Sequence, residues 1–390
     1  MSYKVLKLYY SSTVKRLKEV DMRINRVELY HVRMPLIYPF RTSFGEEVDI
    51  NSVLVKMTSE DEYGWGETTP FNSPRYSPEW AGGAFALMKE FLSPQIVGRN
   101  IESADELLQL LERFKGNPFA KAGLEIAWWV LKAKMDGKPL HRLLGGRSHA
   151  VEVGADFGVQ NSIETLLEKI ELAIKQGYPR VKLKFRLGWD VNMLKAVRDA
   201  FPDYTFHIDC NAAFTLKHLD LFKKIDRFEL AMIEQPLQHT DLIDHAELQK
   251  RIETPICLDE SITSPRKAEQ AIHIGSCQYV NIKAGRVGGL SNAVKIHDIC
   301  QEAGVTCWVG GMLESAIGNG VSVELATLPN FKYPADIFPS KTFYNEDLAS
   351  PEITLCAPGK IVTSKVPGIP YTPREDMLKR STVDKAVIYP

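Results

Sequence analysis

The sequence has no excess of either charge, no long apolar run and no paired-cysteine motif, and each absence removes a class of function. Its 48 Lys and Arg stand against 49 Asp and Glu, a formal net charge of −1. That leaves no electrostatic case for nucleic acid or an anionic membrane surface as partner. Nothing approaches the ~18 consecutive apolar residues of a membrane-spanning helix. The six cysteines (210, 257, 277, 300, 307 and 356) are scattered without a Cys-x-x-Cys spacing. They read as reduced, mostly structural thiols of a cytoplasmic protein. Met1 to Asp21 carries Lys4, Lys7, Lys15, Arg16 and Lys18 but no uninterrupted apolar core and no small-residue cleavage site. It therefore reads as an N-terminal extension rather than a secretory signal. What remains is ordinary for a globular chain: 390 residues, 44% hydrophobic and 25% charged, enough for one large domain or two.

Against that background one pattern stands out between Val181 and Gly289. Short β-branched runs each end in an ionisable residue: Val181-Lys-Leu-Lys184, Phe206-His-Ile-Asp209, Met232-Ile-Glu234, Ile256-Cys-Leu-Asp259 and Val280-Asn-Ile-Lys283. From Lys184 through Asp209, Glu234 and Asp259 to Lys283 the steps are 25, 25, 25 and 24 residues, with helix-like sequence in each gap. This is the pattern of βα units in a parallel barrel, whose roughly 250 residues divide into eight units and whose strand ends face the catalytic mouth. With Val151 to Asp156 as the first strand, Lys184 ends the second and Lys283 the sixth. In a ring of eight those two face each other, with the three acids on the strands between them.

Three carboxylates on neighbouring strands suit a hard divalent cation, Mg²⁺ or Mn²⁺, with Asp209, Glu234 and Asp259 as ligands. Such an ion offsets the second negative charge that develops when a proton leaves the carbon next to a carboxylate. Lys184 is the first candidate for the base. A lysine ordinarily titrates near 10.4, and a cation, a second ammonium and partial burial all disfavour its charged form. Lys182, two residues back on the same strand face, is that second ammonium and a ligand for the substrate carboxylate. Lys283 opposite serves as acid or base in a two-base racemisation, or as an electrostatic partner in a one-base dehydration. Asn211 and Glu260, beside the metal ligands, are placed to orient them. His207, deeper in the barrel, reads as a satisfied core histidine.

At these residues the chain resembles the enolase superfamily, in particular the muconate-lactonising-enzyme-like group that carries Lys-x-Lys on its second strand, here Lys182-Leu-Lys184. A lysine or histidine base with Mg²⁺ stabilising an enediolate is the established pattern of enolase-type sites, so that pairing comes with the resemblance. Gly64-Trp-Gly-Glu67, Ala120-Lys-Ala-Gly-Leu-Glu125, Pro139-Leu-His-Arg-Leu-Leu-Gly-Gly146 and Gly310-Gly-Met-Leu-Glu-Ser315 resemble the o-succinylbenzoate synthase/N-succinylamino acid racemase family. The resemblance implies an α/β fold, a modified TIM barrel of (β/α)7β form over residues 146–350. It also implies an α+β capping domain over 22–145 and a C-terminal segment, 351–390, that returns to the cap. It further implies a Mg²⁺-dependent dehydration of 2-succinyl-6-hydroxy-2,4-cyclohexadiene-1-carboxylate in menaquinone biosynthesis, accompanied or replaced by N-succinylamino acid racemisation. A homo-oligomer is implied as well. Dipeptide epimerase and muconate cycloisomerase are the alternatives within the superfamily. A Schiff-base aldolase using Lys184 or Lys283 and a barrel kept as a binding module are the alternatives outside it.

The resemblance also assigns substrate contacts. The loop Met34 to Gly45, punctuated by Pro and Gly yet apolar, would fold over the barrel mouth and bring Phe40 and Ser43 to the substrate, with Tyr76 beside them. Gly311, Met312, Glu314 and Ser315, after the seventh strand, would take the succinyl carboxylate on backbone N–H groups. Arg286, in the family's Lys-x-x-Arg segment, would add positive charge beside Lys283. Elsewhere strand alternation is expected over 27–33 and 52–57, and helices over 84–92, 103–114 and 118–136. Trp128 and Trp129 are expected between the domains. In the tail, strands are expected over 353–355, 360–362 and 366–371, with a loosely held end from Pro373.

Overall fold

The computed structural model describes residues 22–390, and the expected extension over 1–21 lies outside the described residues. The N-terminal part is an antiparallel sheet covered by helices. Its first three strands are β1 (Arg26–Arg41), β2 (Glu46–Ser59) and β3 (Glu62–Thr68). Helices α1 (Ala81–Leu87), α2 (Ala104–Leu111) and α3 (Pro118–Met135) follow. The Gly-Trp-Gly-Glu motif has a packing cause: a Cβ on Gly64 would stand 2.2 Å from the Ala127 carbonyl, and one on Gly66 2.6 Å from the Ala127 nitrogen. Only glycine lets the backbone of α3 lie directly on β3. That contact carries Glu67, at the end of the strand, toward the barrel. Trp128 is buried in the core of the cap and donates to the Ile101 carbonyl, whereas Trp129 alone reaches the barrel, donating to Ser291 Oγ at 3.0 Å.

After α4 (Leu140–Leu144) the chain forms a short strand, β4 (Ala150–Glu152), and then seven parallel strands. These are β5 (Ala155–Phe157), β6 (Val181–Lys184), β7 (Phe206–Asp209), β8 (Ile233–Glu234), β9 (Ile256–Leu258), β10 (Tyr279–Ile282) and β11 (Thr306–Val309). They pair in sequence order, and the helices between them are α5 (Ile163–Lys175), α6 (Val191–Ala200), α7 (Leu219–Ile225), α8 (Ile243–Gln249), α9 (Pro265–Ile274), α10 (Ala284–Val287) and α11 (Leu290–Glu302). The register sets Lys184 opposite Asp209 and Asp209 opposite Glu234. Glu234 lies opposite Cys257, which leaves Asp259 two residues further on and on the same face.

No regular eighth strand closes the sheet among the described residues. Residues 331–336 fill the gap, with parallel bridges Cys307↔Phe331 and Val153↔Ala335 and a 2.9 Å bond from Asp336 N to Val309 O. The expected first strand over Val151 to Asp156 is split in two. Its first half, β4, pairs antiparallel with β13 (Lys360–Val362), and only its second half, β5, enters the barrel. Val153 and Gly154 lie between them, and residue 154 is glycine for space, since a Cβ there would stand 2.2 Å from the Arg180 guanidinium.

The tail also departs from expectation. Helix α12 (Ala316–Leu325) is followed by the two-residue pair β12 (Ala349–Ser350) and β14 (Thr372–Pro373), and of the three expected tail strands only β13 forms. The final residues are held rather than loose. After α13 (Glu375–Ser381), β15 (Thr382–Ile388) pairs antiparallel with β1, Val27 opposite Ile388. That strand supplies the outer edge of β1 with hydrogen-bond partners, and Ala386 and Ile388 pack on the cap core. No described helix is long and apolar enough to cross a membrane.

Candidate active site

At the carboxyl ends of the barrel strands, cations and carboxylates interlock in a nearly dry cluster. Lys184 Nζ lies 2.7 Å from Asp209 Oδ2 and 3.7 Å from Asp156 Oδ2. Lys182 Nζ sits among three acids, 2.8 Å from Glu234 Oε2, 3.0 Å from Asp209 Oδ2 and 3.1 Å from Asp336 Oδ2. Lys283 Nζ donates to Asp259 Oδ2 at 2.8 Å and to the Tyr76 hydroxyl at 3.0 Å. Arg286 is paired with Asp259 Oδ1 and donates to Tyr76, to Ile262 O and to Asn281 O. Tyr76 comes from the cap and also donates to Asp259 Oδ1 at 3.0 Å. All three lysines are buried, the most exposed at 6%.

The electrostatics follow from this pairing. Burial alone would raise the Asp209 carboxyl, but Lys182 and Lys184 outweigh it and hold Asp209 far below the usual carboxylate range. Burial would lower the Lys182 ammonium, yet Asp209, Asp336 and Glu234 push it well above a free lysine. Burial also disfavours the charge on Lys283, and Tyr76, Glu234 and Glu260 outweigh burial and the opposing Lys182. Glu260, buried and close to Asp209, is raised to about 7. His207 is pushed down to about 4 by burial and sits neutral between Trp308 and Tyr333. It is a core histidine only half satisfied, with Nδ1 bonded to the Tyr333 hydroxyl and Nε2 without a hydrogen-bond partner. A small cavity of about 40 Å³ opens onto Lys182, Lys184, Lys283, Phe40, Tyr76 and Asn211.

Residues 24–145 match the mandelate racemase/muconate lactonizing enzyme N-terminal domain, and residues 165–377 match the enolase C-terminal domain-like family. An N-succinylamino acid racemase of Thermus thermophilus is 42% identical over 327 residues, 84% of this chain and 89% of that protein. An o-succinylbenzoate synthase of Geobacillus stearothermophilus is 41% identical over 362 residues, 93% of this chain and 96% of that protein. A solved member of the enolase superfamily from Listeria innocua superposes with a TM-score of 0.90 at 36% identity, covering 94% of this chain and 99% of that one. The chain belongs to the o-succinylbenzoate synthase/N-succinylamino acid racemase family of the enolase superfamily.

Within this family member the residues singled out by sequence divide into two groups. Lys182, Lys184, Lys283, Asn211, Phe40, Tyr76, Gly311 and Met312 line the cavity, while Asp209, Glu234 and Asp259 lie directly beneath them. The others are spent elsewhere. Ser43 is half-buried and its hydroxyl donates to the Asn211 carbonyl at 3.4 Å. Ser315 caps α12 and donates to Glu67, and Glu314 folds back onto the N–H of Met312 at 2.8 Å. The backbone donors of Gly310, Met312 and Ser315 are thus consumed internally, by Ile282 O, Glu314 and Glu67. Gly310 is glycine for space: a Cβ there would stand 2.1 Å from Asn281 Oδ1. Arg286, 1% exposed, touches Asp259 and Tyr76 rather than the cavity.

Three residues of the cluster escaped the sequence reading. Asn281 donates to Glu234 Oε1 at 2.6 Å. Asp156 faces Lys184, and Asp336 faces Lys182. Asn281 was visible as the polar residue of an apolar strand two before Lys283. Asp336 had no such signal, since its segment forms no regular strand.

A divalent cation is testable against the donor set. Among the described residues no three His, Cys, Asp or Glu side chains stand together in a metal-holding group, because Asp209 and Asp259 are each drawn onto a lysine. The chemistry of the set fits all the same: three carboxylates from adjacent strands, ringed by oxygens in need of partners. Glu260 Oε2 and Asn211 Oδ1 are buried without a hydrogen bond, and Glu234 Oε2 is 2.8 Å from Lys182 Nζ but not aligned for one.

Proposed function

We propose that the chain dehydrates 2-succinyl-6-hydroxy-2,4-cyclohexadiene-1-carboxylate to o-succinylbenzoate, with racemisation of N-succinylamino acids in the same site as an accompanying or replacing activity. Both reactions start by removing the proton α to a carboxylate. One observation carries the reading: Lys184 and Lys283, from the second and sixth barrel strands, open onto one cavity with Asp209, Glu234 and Asp259 beneath it. Asp209, Glu234 and Asp259 would hold Mg²⁺ or Mn²⁺. That ion supplies Lewis-acid stabilisation of the enediolate charge.

Lys182 binds and orients the substrate carboxylate. Lys184, which lines the cavity beside Asp209, takes the α-proton. In the dehydration the C–O bond then breaks on the same face, and the Lys184 ammonium gives its proton to the departing hydroxide. In the racemisation Lys283 delivers a proton from the other face, and the roles reverse for the opposite enantiomer. Arg286 acts through Asp259 and Tyr76 without touching substrate. The cavity is close to the ~30 Å³ share of one water, far below the ~300 Å³ or more of a small-molecule pocket. A substrate of that size needs more room than this, and Phe40 near the end of β1 and Phe44 in the turn after it are among the side chains that line the cavity from the cap. A cytoplasmic location is part of the same reading, supported by six free cysteines, five of them buried; a homo-oligomer is carried over from the family resemblance alone.

The test is exchange of the substrate α-proton in D₂O. Lys184→Ala should slow dehydration about 10²-fold or more. With N-succinylamino acids, Lys184→Ala and Lys283→Ala should each abolish exchange from one enantiomer and spare the other. Wild-type rates in both variants would remove the two-lysine reading.

A further inference from the structure

We propose that Asp336, buttressed by Arg180, is the positioning residue that holds Lys182 at the substrate carboxylate. The proposal rests on the role given to Lys182 above and deepens it. Asp336 is 3% exposed, yet both its oxygens are used: Oδ1 accepts from Arg180 Nη2 at 2.6 Å and Oδ2 from Lys182 Nζ at 3.1 Å. Arg180 is itself immobilised. It donates to the Pro334 carbonyl at 2.7 and 3.2 Å and to the Ala155 carbonyl at 3.1 Å, and its guanidinium lies 5.4 Å from the Trp308 ring and 5.6 Å from that of Tyr333. The path it takes is cleared by Gly154, where any Cβ would overlap it.

Lys182 has three carboxylate neighbours, and two of them, Asp209 and Glu234, are the residues assigned to the cation. Asp336 is the remaining one, tied to the closing segment of the barrel and to a fixed arginine. It therefore anchors the ammonium independently of what Asp209 and Glu234 bind. Arg180 also balances charge. A buried carboxylate without it would draw Lys182 into a private pair and away from substrate, whereas shared between two cations it holds the lysine at 3.1 Å by a single bond. The same anchoring would serve either hand of substrate, because it acts on the carboxylate and not on the α-carbon.

The experiment is a double-mutant cycle read by α-proton exchange in D₂O, with metal-loaded protein and an N-succinylamino acid as probe. Asp336→Asn should lower kcat/KM about tenfold to a hundredfold. In a Lys182→Ala background the same change should cost nothing further. Asp336→Glu keeps the charge opposite Arg180 but displaces it by a methylene, and should also be slow, which covers the case in which the Asn variant does not fold. Equal losses in both backgrounds, or wild-type rates in Asp336→Glu, would overturn the positioning role. An unimpaired Lys182→Ala enzyme is a different failure, that of Lys182 as the carboxylate's ligand, and overturns the reading beneath the proposal as well.

Discussion

At the scale of single residues, the cap contributes one hydroxyl on which three groups of the site depend. Tyr76 meets Asp259 Oδ1, Lys283 Nζ and Arg286 Nη1 at 3.0, 3.0 and 3.2 Å. Its phenol is raised above the ordinary value by burial, which outweighs the two cations, so it remains a neutral donor. Removing the hydroxyl takes a hydrogen-bond partner from Lys283 without touching Lys184. Tyr76→Phe should therefore slow racemisation about tenfold in steps that use Lys283. It should leave proton abstraction by Lys184 nearly unchanged. Deuterium incorporation measured separately from the L and D enantiomers checks this; equal losses for both would mean that Tyr76 serves the pocket as a whole.

At the scale of elements, buried glutamates do the work of helix caps across the fold. Glu125, on α3 of the cap, accepts from the N–H groups of Leu290 and Ser291 at the start of α11 in the barrel, and from Ser291 Oγ and Trp129 Nε1. Gly289 leaves room for it, since a Cβ would stand 2.3 Å from Glu125 Oε2. Glu67 caps α12 in the same way, through the N–H groups of Ser315 and Gly318. Glu125→Ala would strand at least two helix-terminal donors in a dry interface and should cost about 2–5 kcal/mol in urea unfolding.

Glu79 caps α3, accepting from Phe119 and Ala120, where Asn117 offers no side-chain cap. Burial raises its carboxyl to about 7, against 4.5 for an ordinary glutamate, despite those two bonds. The folded state therefore holds this proton more tightly than the unfolded one. Glu79 stabilises most below about pH 4.5 and loses that stabilisation as pH rises through about 7. The stability difference between wild type and Glu79→Gln should accordingly swing toward wild type as pH falls from 7 to 4.5. A difference independent of pH would count against the shift.

These elements also show what a sequence discloses. The five ionisable residues were legible because regular βα repeats put each at a strand end, and constant spacing survives without knowledge of any contact. Asp336 was not, because the closing segment 331–336 is irregular and has no period to read; Arg180, one residue before β6, gains its role only through contacts to that segment. Glu67 and Glu125 appeared in motifs, but a cap offered from one domain to a helix of another exists only after both have folded. The end of the chain misled for a related reason: its charges promised solvent, while the open edge of β1 required a partner.

At the scale of the whole molecule, the charges of the site compensate one another without help. Asp156, Asp209, Glu234 and Asp336 are paired with Lys182, Lys184 and Arg180 in one buried group, and Asp259 with Lys283 and Arg286 in a second. Each of these carboxylates thus has a cationic partner from the chain itself. Stripping divalent metal should therefore abolish activity while leaving a cooperatively folded protein. A ligand bound only by the folded state adds about 2.7 kcal/mol at a hundredfold excess over its Kd, so Mg²⁺ should raise the melting temperature by a few degrees, saturably. The Lys182→Ala protein should respond more steeply, because in wild type the cation competes with an ammonium for Asp209 and Glu234. Calorimetry of wild type and variant, with and without chelator, decides it. Unfolding on metal removal would mean that the lysine–carboxylate pairing does not sustain the barrel mouth, and full activity in chelator would end the metal-assisted reading.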